Sequence, residues 1–153
     1  MPNTYAAVLK SIIEATAFAA KADNRKQIAT AISPANYLNQ PETVLEQVLT
    51  GTYADGLGQV KVDANRVSFD PFPWQSFAVW ILTQMKRWGQ VKGDVDYQKI
   101  AEQVYLATDS IKLMKAAGLT PPTTLTKGFS VMGKAFDPAK PEEYLASFKI
   151  KRT

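Results

Sequence analysis

Apolar residues in this chain recur three and four positions apart in short blocks, and most blocks end at a glycine or a proline. That patterning dictates amphipathic helices of modest length, each burying one face, and leaves little sequence for a sheet. Tyr5, Val8, Leu9, Ile12 and Ile13 predict a first helix running to Ala20, with Asn3 or Thr4 as its cap. Ile28 and Ile32 sit one turn apart behind Asp23, a capping residue, and predict a short helix ending before Ser33-Pro34. A single turn over 35–38 follows. Pro41 and Glu42 then open a third helix whose stripe Val44, Leu45, Val48, Leu49 stops at Gly51.

The stretch 53–73 breaks the helical rhythm. Asp55-Gly56 and Gly58 signal turns, Val60 and Val62 alternate, and Val67 and Phe69 alternate again, which predicts two short strands or extended arms within a long loop. Helical spacing returns with Phe77, Trp80, Ile81, Gln84, Met85 and Trp88, ending at Lys86-Arg87 and Gly89. Two further helices are predicted, from Asp96 through Val104 and from Thr108 to a stop at Gly118, before Thr120-Pro121-Pro122. Weak structure separates these from a last helical turn at 141–145, with Phe148 continuing its apolar face. The expected fold is mainly α with a few short strands. Residues 1–153 read as one segment, without repeat, low-complexity tract or dividing linker, although the central loop is longer than a simple bundle needs.

Composition narrows the chemistry. The chain has no histidine and no cysteine. Ser-His-Asp triads, zinc sites, disulfides and thiol catalysis are therefore excluded, and the reading is of a protein that is not an enzyme and has no cofactor. Asp94, Asp96, Glu142 and Glu143 match no calcium loop, and helix capping accounts for them, so no metal site is expected. Net charge is +4 with a pI near 9.2, a mild bias toward anionic partners, drawn in part from Lys149, Lys151 and Arg152. Lys86-Arg87 and Lys92 are dispersed among acids, and the pair suits a helix C-terminus, so nucleic acid is not an expected partner. The opening MPNTYAAVLKSIIEATAFAAK lacks the pattern of a secretory leader. Lys10, Glu14, Lys86 and Arg87 interrupt the apolar stretches before any reaches membrane-spanning length.

Three blocks carry a resemblance. The first runs from Pro2-Asn3-Thr4 through Asp23-Asn24-Arg25-Lys26 to Asn36-Tyr37-Leu38-Asn39. The second is Phe72-Pro73-Trp74-Gln75-Ser76 with Trp80, Leu82-Thr83-Gln84 and Arg87-Trp88-Gly89, and the third is Phe136-Asp137-Pro138 with Pro141 and Tyr144-Leu145. In this order they resemble the C-terminal portion of the nitrate/bicarbonate solute-binding proteins of ABC importers. The resemblance implies a helix-rich C-terminal segment of a two-lobed α/β type II periplasmic-binding-protein fold that closes on a small oxyanion, nitrate or bicarbonate. It also implies an ABC permease and ATPase as partners, contact with the membrane only through them, and a place at the periplasmic face of the plasma membrane. A related domain fused to the transporter ATPase, a cytoplasmic regulatory sensor, is the alternative, and an independent helical interaction protein is a third.

Two helix starts are the candidate ligand contacts, because free N–H groups there carry partial positive charge. One is the junction Trp74, Gln75, Ser76, where Gln75 and Ser76 add neutral donors; relatives, the resemblance implies, often carry a lysine in place of Gln75. The other is Asn3 and Thr4, near the hinge and cleft in the resembled architecture. Ordinary capping and packing explain both as well. Trp80 and Trp88, two turns apart, offer an aromatic wall or simply a buried face. An isolated segment of such a fold is expected to expose apolar surface, which a homodimer would cover.

Overall fold

The computed structural model describes residues 2–150; Lys151 and Arg152, two of the terminal basic residues, lie outside the described residues. The chain forms two compact units, residues 1–71 and 72–153.

The first unit holds α1 (Pro2–Ala20), a 3₁₀ turn (Ala22–Asn24), α2 (Arg25–Ile32), α3 (Glu42–Thr50) and a hairpin of β1 (Thr52–Ala54) with β2 (Val60–Val62). Helix α1 begins at Pro2, so Asn3 and Thr4 occupy its first turn and not its cap. Asp23 falls inside the 3₁₀ turn, and α2 starts one residue later than a cap at Asp23 would place it, with Asn24 at the cap position. The Asn24 side chain reaches back instead, donating from Nδ2 to the Phe18 carbonyl at 2.9 Å. Ala29, Leu45 and Leu49 are buried between α2 and α3, with Ile28, Ile32 and Phe69 packed against them.

Arg25 ties this unit together. Its Nη1 donates to the Leu49 carbonyl at 2.7 Å, at the end of α3 where carbonyls lack helical partners, and Nη2 reaches the Val67 carbonyl at 3.4 Å. Gly51 ends α3 with φ 75°, as the sequence predicts, and its carbonyl accepts from the Asp63 N–H at 2.9 Å. Val60–Val62 is a strand as expected, but its partner is Thr52–Ala54; Val67 and Phe69 form no strand. The hairpin closes on Asp55, whose Oδ1 accepts from the Leu57 and Gln59 N–H groups at 2.7 and 3.1 Å. Phe69 serves the core and Val67 lends its carbonyl to Arg25, so their alternation reflects packing on the helices.

The second unit holds α4 (Gln75–Arg87), α5 (Tyr97–Val104), α6 (Ala107–Ala116), a hairpin of β3 (Phe129–Val131) with β4 (Lys134–Phe136), and α7 (Pro141–Ala146). Helix α4 matches its predicted span, with Gly89 at φ 72° just past its end. Asp96 caps α5 by accepting from the Lys99 N–H at 3.1 Å. The core gathers Ala78, Val79, Tyr97, Ala101, Phe136 and Tyr144. A chain of ring contacts, Phe77 to Phe129 to Phe136 to Tyr144 to Phe148, with centroids 4.8–5.3 Å apart, joins α4, the hairpin and α7.

The β3–β4 hairpin replaces the weak structure expected before α7. Its two-residue turn, Met132-Gly133, has φ of 52° and 77°, the positive pair of a type I′ turn. Trp80 and Trp88 do not form a wall: Trp80 donates from Nε1 to the Tyr144 hydroxyl at 3.1 Å, while Trp88 is exposed beside the Arg87 guanidinium, 4.8 Å from its ring. Among the described residues no helix is long and apolar enough to cross a membrane.

Candidate functional site

Helix α4 starts without a side-chain cap. Pro73 precedes it, and the cap residue Trp74 is extended (φ −66°, ψ 115°) with no polar group to offer the first N–H groups. The partners come from far along the chain. The Gln75 N–H donates to the Leu125 carbonyl at 2.9 Å, and the Lys127 N–H donates to Ser76 Oγ at 3.2 Å. The Phe77 N–H is taken by the Trp74 carbonyl at 2.9 Å. A loop fifty residues downstream therefore docks on the helix start, which is why Ser76 is fully buried and Gln75 only 8% exposed.

The same loop delivers a cation. Lys127 Nζ lies 4.7 Å from the Trp74 ring centroid and 5.2 Å from that of Phe77, distances at which the ring faces attract an ammonium group. Positive charge from the α4 dipole and from Lys127 thus meets at a half-buried indole, itself set edge-on to Phe72 at 4.8 Å. Sequence reading named Trp74, Gln75 and Ser76 and missed Lys127, which sits in an irregular loop with no motif around it; only the fold brings it here. The structure brings Trp74, Gln75 and Ser76 together and places Asn3 and Thr4 in the first unit, both exposed in the first turn of α1.

The acidic residues have structural duties. Glu142 Oε1 accepts from Lys86 Nζ at 2.7 Å and from the Tyr97 hydroxyl at 2.9 Å. The Lys86 hydrogen bond is the main reason its carboxyl is held below the usual range, with the Tyr97 hydroxyl adding to it. Tyr97 shifts the other way, its hydroxyl pushed well above the ordinary tyrosine range by burial and by the neighbouring carboxylate. Glu143 pairs with Lys140 at 3.4 Å, and Asp96 is the α5 cap. Among the described residues no group of three metal-ligating side chains comes together.

Comparison with known proteins bears on this geometry. No family model matches the chain. It is 33% identical over 162 residues to the nitrate/nitrite binding protein NrtA of Nostoc sp., covering 99% of this chain and 37% of that protein. It is 28% identical over 169 residues to the bicarbonate-binding protein CmpA of Synechococcus elongatus, covering 99% of this chain and 38% of that one. The chain is homologous to the C-terminal portion of these binding proteins. It spans well under half the length of the relatives it matches. The crystal structure of the periplasmic nitrate-binding protein NrtA from Synechocystis superposes with a TM-score of 0.88 at 24% identity, over 97% of this chain and 42% of that one. At that identity the likeness establishes the fold: a helix-rich segment of a binding-protein architecture, with its few strands in two short hairpins.

Proposed function

We propose that this chain is part of a solute-binding component of an ABC importer that takes up nitrate, bicarbonate or a similar small oxyanion. The observation that supports this most directly is likeness to NrtA and CmpA over 99% of the chain. The mechanism on this reading is non-covalent. A two-lobed protein closes on the anion, helix-end N–H groups and polar side chains replace its hydration shell, and the permease and its ATPase take it over at the periplasmic face of the membrane.

Within this segment the reading assigns solute-side roles to Trp74 and to the first turn of α1 at Asn3 and Thr4. Gln75 and Ser76, buried at the start of α4, hold that junction in place. The +4 net charge mildly favours an anionic solute. The test is calorimetry on a two-lobed protein that contains this segment, titrated with nitrate and with bicarbonate. A saturable heat with one of them is expected; no heat with any small oxyanion would overturn the proposal.

A further inference from the structure

Helix α1 leaves one apolar side open. At 3.6 residues per turn, Tyr5, Val8, Ile12, Ala15 and Ala19 fall within about 40° of one line along the helix. Tyr5, Val8, Ile12 and Ala15 are exposed, whereas Ile13, on the neighbouring side, is fully buried in the first unit. The charges of α1, Lys10 and Glu14, pair with each other at 3.7 Å on the far side, so the helix brings no charge to this stripe.

The two halves of the stripe differ in shape. Its N-terminal half projects Tyr5 and Val8, and its C-terminal half borders a hollow of about 420 Å³ lined by Ile12, Ala15, Phe18, Ala19, Ile28 and Phe69, among others. A cavity of about 150 Å³ holds a benzene, so this one has room for a tyrosine ring. A knob and a hollow on one surface suit a two-fold interface, in which each copy offers the patch that the other receives. A two-fold axis at Ile12 runs the two helices antiparallel. Ile12 then meets Ile12, Tyr5 meets Ala19 and Leu9 meets Ala15, a large side chain over a small one on either side of the axis, as interdigitating helices require. Parallel helices would instead set Tyr5 on Tyr5 and Ala15 on Ala15, with the hollow unfilled.

The area sets the strength. Helix α1 has 19 residues and is about 28 Å long, and an aromatic side chain such as Tyr5 or Phe18 buries up to about 150–250 Å². Two copies packed along this length cover roughly 1,000 Å² in total, the lower edge of specific interfaces. Association is therefore weak, with a dissociation constant on the order of 10 µM. We propose that this chain forms a two-fold dimer through α1, antiparallel about Ile12, with Tyr5 of each copy seated in the hollow beside Ala19 and Phe69 of the other.

The chain has no cysteine, so single cysteines placed in the full chain report the pairing directly. Close-packed helices bring facing Cα atoms to roughly 4–5 Å, within disulfide reach. Under mild oxidation Ile12→Cys is expected to cross-link to a dimer and Lys10→Cys to stay monomeric. Tyr5→Cys should cross-link when mixed with Ala19→Cys and not alone. Sedimentation equilibrium should show monomer and dimer with no larger species. Tyr5→Ala and Ala15→Trp, both at exposed positions, should each weaken association about tenfold with native circular dichroism, the first by removing the knob and the second by filling the hollow. The proposal is overturned if the chain stays monomeric to about 300 µM, thirty times the expected dissociation constant, or associates without limit. It is equally overturned if Tyr5→Cys cross-links alone as readily as with Ala19→Cys, or if Ala15→Trp associates like the parent. A monomer that still binds a hydrophobic dye would assign the stripe to a different polypeptide, such as the rest of a two-lobed binding protein. None of these readouts involves an oxyanion, so this proposal and the proposed function stand or fall separately.

Discussion

Gly51 and Gly56 have nearly the same backbone conformation, φ +75° and +77°, in very different surroundings. A Cβ at Gly51 would sit 1.8 Å from the Asp63 carbonyl oxygen and 2.7 Å from its carbon, inside the α3-to-hairpin junction; a Cβ at Gly56 would meet nothing within 4 Å. Both alanine variants carry left-handed strain of about 1–2 kcal/mol. Gly51→Ala must in addition displace backbone and lose the Asp63 N–H to Gly51 carbonyl bond at 2.9 Å, about 1 kcal/mol. A total near 3 kcal/mol is expected for Gly51→Ala. In a unit of 71 residues each kcal/mol moves the melting temperature by about 4–8 °C, so the two variants should differ by at least about 4 °C. Thermal melts by far-UV circular dichroism, with amide exchange on α3 and the β1–β2 hairpin, make the measurement. Tryptophan fluorescence would miss it, because Trp74, Trp80 and Trp88 all belong to the other unit. Melting points within about 2 °C of each other would refute the steric argument.

Three further outcomes are expected. Glu142 is held below its ordinary value of 4.5, chiefly by Lys86, so its stabilising effect is present above that pH and lost as pH falls through the lower folded value. Glu142→Gln should flatten the fall in urea midpoint between pH 5 and pH 3, and an unchanged slope would remove that role. Met132, 97% exposed with φ 52°, occupies a turn position that suits Asn or Gly, so Met132→Asn should stabilise by about 0.5–1 kcal/mol in urea unfolding; a loss would contradict the turn assignment. Helix α1 exposes Tyr5, Val8, Ile12 and Phe18, and the full chain should bind a hydrophobic dye and self-associate, both reduced by Ile12→Glu. A dye-silent monomer in sedimentation would show that this face is not sticky.

The function proposed from the likeness to NrtA and CmpA is recognition of a small solute by oriented polar groups. Histidine and cysteine are absent from the whole sequence, so on the proposed reading recognition would rely on N–H groups, amides, hydroxyls and charged side chains.

Helix positions were legible in the sequence because they follow from local forces. The three-four spacing of Phe77, Trp80, Ile81 and Met85, and stops at Gly51, Gly89 and Gly118, with φ of 75°, 72° and 73°, need only neighbours within a turn or two. Pairings at a distance were not legible. Thr52–Ala54 carries no alternation that marks it as the partner of Val60–Val62, and Met132-Gly133 hides a tight turn behind a residue that rarely adopts positive φ. Trp74, Gln75 and Ser76 could be named from the junction they form. That Leu125 and Lys127 would close over it, and that Tyr97 and Lys86 would share Glu142, depended on which loops could dock once the aromatic core had packed. Local sequence sets a helix through bonds four residues apart, whereas these contacts span up to 56 residues and exist only when the whole unit has closed.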